Sequence, residues 1–185
     1  MIESSNFYGL FCELTLPLAW SPTTEADTHS HSFEFSNQNC LKIILGLDEV
    51  SQDVADDLPE IGHELQRLDF KINIILELIA QLTAQNSQLP EAVDIKLGST
   101  LLQWSTAHLP PRPDQYVKIE IYPDPRYPFP VILFGKVTSV EPVLNDYQVT
   151  LGLCLADKQS QELLDKYIFR CHRRHIAKIK SLKTD

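Results

Sequence analysis

Leu58, Ile61, Leu65, Leu68, Ile72, Ile75, Ile79 and Leu82 recur at spacings of three and four without a miss. This is a heptad seam, with Leu58, Leu65, Ile72 and Ile79 at the a positions and Ile61, Leu68, Ile75 and Leu82 at the d positions. Asp57 supplies an N-cap, Pro59 suits the first turn and Glu60 completes a capping box. The run Asn86-Ser87-Gln88-Leu89-Pro90 ends the pattern, so a helix is expected over residues 56–86. Elsewhere the period is two. From Tyr8 to Trp20 apolar residues alternate through Leu10, Cys12, Leu14, Leu16, Leu18 and Trp20, which predicts a strand with Pro17 marking an edge or kink.

A narrow apolar strip over more than three heptads implies self-association. Leu at a with Ile at d, or Ile at both, favours more than two chains in parallel coiled coils; the pattern leaves helix orientation open. The same stripe would also suit a helix packed on its own domain. Phe70, Ile74 and Leu78 form a second stripe at spacings of four, so one stripe has the parent domain available to it and the other a partner.

Between these elements, Ser21 to Ser32 is polar and reads as a loop, and Ser36 is placed to cap a short helix ending near Leu47. After Pro90 the chain changes to short strands, expected at Val93–Leu97, Leu101–Ser105, Gln115–Tyr122, Val131–Val140 and Tyr147–Cys154. Proline-rich breaks at 109–113 and 123–130, and Asn145-Asp146, separate them. A final helix runs from about Lys158 to Lys180. The fold class is α+β: a small antiparallel β-barrel with an inserted long heptad helix and a C-terminal helix. The organisation reads as an N-terminal strand and short helix (1–55), the oligomerisation helix (56–86), the barrel (87–157) and a basic C-terminal helix (158–185), the first 90 residues being mostly a helical appendage.

Charge adds one feature. The chain carries −9 over 185 residues, yet residues 166–185 hold seven Lys and Arg against Asp185 alone, a balance of +6, which leaves −15 on the rest. Such a basic tail suits phosphates or a neighbour's acidic surface. Nucleic acid, met by Arg170, Arg173, Arg174, Lys178 and Lys180, is the weakest of the expected partners, because the acidic body repels the same polymer. No apolar run reaches membrane-spanning length and the N-terminus lacks a basic start, so a cytoplasmic protein is expected.

Candidate chemistry is sparse. Cys12, Cys40, Cys154 and Cys171 are far apart and read as thiols; His172 and His175, or His29 and His31, find no third ligand, so no metal is expected. Six dispersed glycines form no phosphate-cradling loop, and no nucleophile-elbow pattern occurs, so neither an enzyme nor a cofactor is expected. The segment Tyr122-Pro123-Asp124-Pro125-Arg126-Tyr127-Pro128-Phe129-Pro130 is a candidate partner-binding loop through Tyr122, Arg126, Tyr127 and Phe129; its rings serve equally to close the barrel.

Three stretches carry a family resemblance: Leu68-Asp69-Phe70-Lys71-Ile72-Asn73 in the long helix, Val93-Asp94-Ile95 opening the barrel, and Leu164 to Arg174 in the last helix. Together they resemble the PilZ domain, specifically its atypical, tetramer-forming bacterial family. The resemblance implies a PilZ-like barrel, a tetramer, and a place in cyclic di-GMP-linked control of motility, pili or virulence. Ordinary PilZ domains are cyclic di-GMP receptors that use an RxxxR stretch before the barrel and a D/N-x-S-x-x-G stretch on an early strand. Guanidinium forks suit phosphate oxygens and stack on aromatic planes.

This chain departs from both motifs. Residues 81–91 contain no arginine, and the second motif aligns with Asp94-Ile95-Lys96-Leu97-Gly98-Ser99, where Lys96 stands for the Ser and Ser99 for the Gly. Arg170 and Arg174 spell RxxxR in the wrong place, and Arg67 with Lys71 lies in mid-helix. The expectation is a non-enzymatic oligomeric adaptor that binds a signalling or pilus protein and not cyclic di-GMP directly. The alternative is a direct receptor with a degenerate site at Asp94, Lys96 and Ser99.

Overall fold

The computed structural model describes residues 9–28, 33–47, 89–124, 129–144, 146–154 and 157–182, together with 64, 65, 67, 68, 70–72, 74, 75, 78 and 79. Six antiparallel strands, β1 (Phe11–Pro22), β2 (Ala92–Gly98), β3 (Leu101–Thr106), β4 (Tyr116–Ile121), β5 (Val131–Val143) and β6 (Asp146–Cys154), close into a barrel in the order β1-β2-β3-β6-β5-β4. Three helices are bounded: the single turn α1 (Glu25–Thr28), α2 (Glu34–Leu47) and α3 (Lys158–Leu182). The fold is α+β, as the two hydrophobic periods predict.

The first strand makes the closure possible. Its upper half pairs with β2, aligning Cys12 with Leu97, Leu14 with Ile95 and Leu16 with Val93, while its lower half pairs with β4 from Leu18 opposite Ile121 to Pro22 opposite Val117. Pro17 stands at the changeover, where its missing N–H costs no ladder bond and its carbonyl accepts the Tyr122 N–H at 3.1 Å. The barrel therefore draws a strand from the N-terminal stretch and is not confined to residues 87–157.

Alternation fills the interior with Ile95, Leu97, Leu102, Trp104, Val117, Ile119, Val149 and Leu151, all buried. At Gly135 the strands β5 and β6 come so close that an added Cβ would meet the Gly152 carbonyl and the Leu151 side chain inside contact distance. Only glycine fits there. Thr138 is the extra residue of a bulge between Val137 and Ser139, which bends β5 round the barrel.

Strand directions sort the connections to two ends. One end holds the start of β1, the β2–β3 turn, the β4–β5 loop and the exit of β6; there α2 and α3 close the core with Leu41, Ile44, Leu164, Tyr167, Ile168 and Cys171. Asn37 docks α2 like a short strand, donating to the Ile132 carbonyl at 2.7 Å and accepting the Ile132 N–H at 2.8 Å. Arg170 donates to the Leu45 carbonyl in the last turn of α2, where the helix dipole is negative. His172 Nδ1 donates to the Phe11 carbonyl at 2.9 Å, tying α3 to β1. The opposite end holds the β5–β6 hairpin and the β3–β4 connection, whose own Pro111 is buried.

Two local expectations are corrected. Residues 21–32 are not all loop: Thr24 and Asp27 form a reciprocal capping box, with Asp27 N–H to Thr24 Oγ1 at 3.4 Å and Thr24 N–H to Asp27 Oδ2 at 3.2 Å, and the α1 turn follows. Ser36 is not the cap of α2, which begins at Glu34 and leaves Ser36 exposed in its first turn.

Candidate functional site

Because β-strand side chains alternate, the residues between the core positions of β1, β2, β3 and β6 all point outward on one face. Register then decides which of them meet. Glu13 lies opposite Lys96 and Lys96 opposite Gln103; Thr15 lies opposite Asp94, Gln103 opposite Thr150 and Ser105 opposite Gln148. All of these polar residues except the buried Thr150 line an open groove of about 520 Å³, which Leu14, Ile95 and Trp104 also border.

The groove's two motif residues are both engaged. The Lys96 ammonium sits 3.8 Å from the centroid of the Phe11 ring and 4.0 Å from Glu13 Oε1, leaving its side chain 28 % exposed. Asp94 Oδ1 accepts a 2.7 Å hydrogen bond from Thr15 Oγ1. Ser99, the third degenerate position, lies in the β2–β3 turn and is not part of the groove wall. Glu13, Thr15, Gln103, Ser105 and Gln148 do line it, and their only trace in the sequence is the polar phase of each strand.

The long-helix residues that are described are all helical. Leu65, Leu68, Ile72, Ile75 and Ile79 are between 42 and 55 % exposed, so no described part of the same chain covers the seam. Phe70, Ile74 and Leu78 are exposed as well, so the second stripe is not held against the barrel. Leu58, Ile61 and Leu82 fall outside the described residues. Arg67 pairs with Glu64 at 3.0 Å on the exposed flank, one helical turn apart.

In the β4–β5 loop, Tyr122 is half-buried and Phe129 is 50 % exposed, its carbonyl accepting the Cys40 thiol at 3.4 Å. Arg126 and Tyr127 lie outside the described residues. Cys12, Cys40 and Cys171 are buried free thiols. Burial pushes the Cys40 thiol up to about 12, and hydrogen bonding to Cys171, then burial, raises Cys12, so neither is a thiolate near neutral pH. Among the described residues no three His, Cys, Asp or Glu converge as metal ligands, and no helix is long and apolar enough to cross a membrane.

A closed antiparallel barrel capped at one end by two helices, with a polar groove on its outer face and an inserted helix, defines a small α+β barrel domain. The chain belongs to the family of atypical PilZ domains, described as cyclic di-GMP receptors, whose profile matches residues 44–181. It is also similar to a solved pathogenic protein from Xanthomonas campestris, described as a tetrameric PilZ domain self-assembled via a helical bundle. The TM-score is 0.72 at 23 % identity, over 91 % of this chain and 90 % of that one. No curated protein sequence matches this chain.

Proposed function

We propose that this protein is a non-enzymatic, oligomeric adaptor in cyclic di-GMP-linked signalling, working in the cytoplasm through protein contacts and not binding cyclic di-GMP itself. The observation that carries this reading is Lys96. Where the ordinary motif has Ser, a lysine lines the groove, its ammonium on Phe11 and facing Glu13, while Thr15 occupies an oxygen of Asp94. A guanine edge would have to displace the ammonium from the ring and the carboxylate, and residues 81–91 carry no arginine to clamp its phosphates.

Oligomerisation follows from the exposed seam. Aliphatic side chains at 65, 68, 72, 75 and 79 on one helical stripe are stable in water only when another helix covers them. The tetrameric assembly described for the Xanthomonas campestris protein supports the choice of four chains. Control of motility, pili or virulence is the family's suggested setting, and Tyr122, Arg126, Tyr127 and Phe129 remain candidate contacts for a signalling or pilus protein.

The test is calorimetric titration of the purified protein with cyclic di-GMP, with mass measured by light scattering on the same sample. A silent titration of a tetramer is the expected result. Saturable heat at one or two ligands per chain would overturn the adaptor reading in favour of a receptor that uses Asp94 and Lys96.

A further inference from the structure

We propose that the barrel end opposite the helices is a docking surface for a partner segment that presents an apolar side chain between basic residues. This deepens the adaptor reading, on which it rests, by naming a surface and the chemistry it takes.

The central observation is Leu144. Val143 and Asp146 form the last pair of the β5–β6 hairpin, which makes Leu144 the first residue of its turn. Leu144 adopts a left-handed backbone (φ 54°) and is 101 % exposed. Hairpin turns favour Asn, Asp or Gly at such positions, because a branched apolar side chain is strained there. Leucine thus costs backbone energy and returns no burial among the described residues. A residue that local folding disfavours twice over, in a hairpin turn, is suited to insertion into something else.

Its neighbours extend the surface. Val143 and Tyr147 are 46 % and 40 % exposed, and Tyr147 pairs with Thr106, from which the β3–β4 connection departs to an 86 % exposed Leu109. Beyond Leu109 an open groove of about 580 Å³ is walled by Trp20, Pro110 and Pro113, whose stiffness limits the entropy lost on binding. Charge identifies the partner. Glu141 and Asp146 stand at this end, partly or fully exposed, whereas Glu91 has His108 Nε2 at 3.8 Å, Asp114 is paired with Lys136 at 2.8 Å, and Arg112 is, among the described residues, the one basic residue lining the groove. A basic flank on the incoming segment answers that rim.

The experiment uses the full chain and two fluorescent ten-residue peptides with a central Leu-Phe pair, one flanked by lysines and one by glutamates. Anisotropy is expected to show the lysine peptide binding at least about tenfold more tightly. Leu144→Asn and, separately, Leu109→Ser are each expected to weaken it about fivefold. Leu144→Asn should leave the melting temperature unchanged or raise it, which separates lost docking from lost fold. Equal affinities for the two peptides, no binding of either, or indifference to both variants would overturn the proposal. So would thiol cross-linking from Leu144→Cys to a second copy, which would make the surface a self-contact. The adaptor reading stands or falls separately, on the cyclic di-GMP titration.

Discussion

The Lys96 ammonium of β2 rests on the face of Phe11, 3.8 Å from its centroid, although the two residues are 85 positions apart in the chain. Strand pairing brings them together, since Phe11 lies opposite Gly98 and Glu13 opposite Lys96. The contact is a partly desolvated cation–π interaction worth about 1 kcal/mol. Lys96→Ala is therefore expected to lower the urea midpoint by an amount equivalent to about 1 kcal/mol, with the denaturant slope unchanged. An unchanged midpoint would mean that the ammonium is not held on the ring, and the steric argument against guanine would fail with it.

Asn37 carries more of the fold than a single polar residue on a helix usually does. It satisfies both backbone groups of Ile132, and both residues are buried. Removing the amide strands a donor and an acceptor, at a cost of about 2 to 3 kcal/mol. Equilibrium unfolding of Asn37→Ala measures this directly, and a loss below about 0.5 kcal/mol would show that water replaces the amide.

The seam makes the sharpest assembly prediction. Ile72→Asp with Ile75→Asp places two carboxylates where helices would pack, and sedimentation should then report a smaller species with the barrel still folded. An unchanged mass would remove the seam from the interface.

Acid sensitivity follows from Asp157, the N-cap of α3. The Ser160 N–H, donating to Asp157 Oδ2 at 2.8 Å, holds the carboxyl below its ordinary 3.8, with further bonds from Ser160, Gln159 and Gln38. A lowered folded-state value means stability that is complete above 3.8 and is lost as pH falls through the folded value. The urea midpoint of the native chain should fall more steeply than that of Asp157→Asn below about pH 4, because asparagine caps without titrating. Parallel acid limbs would rule out this linkage.

The barrel was legible because its strands show a clean period of two: the five expected after Pro90 lie within one to three residues of those found. The α1 turn was missed because its signal is one short capping box inside a polar stretch. Ser36 was misread because a serine near a helix start is a cap only if the chain turns there, and α2 had already begun at Glu34. The place of β1 was the larger error of reading. A strand separated from β2 by about 70 residues, including two helical patterns, looks like an appendage until pairing is known.

What the sequence determined by itself is everything set by local periodicity and by residue type: helix or strand, the heptad seam, the absence of arginine from residues 81–91 with Lys96 and Ser99 in the barrel's first motif stretch, and the charge split between body and tail. Tertiary structure alone decided which outward-facing residues became neighbours. Asp94 and Lys96 could be read from a motif, but Thr15, Glu13 and Phe11 reach them through the β1–β2 register, and Gln103 and Gln148 through β3 and β6. Leu144 likewise is set apart by its left-handed backbone and full exposure, which its place in the sequence does not show. Register between β1 and β2 arises from contacts between segments distant in the chain, and those contacts leave no periodic mark on either segment.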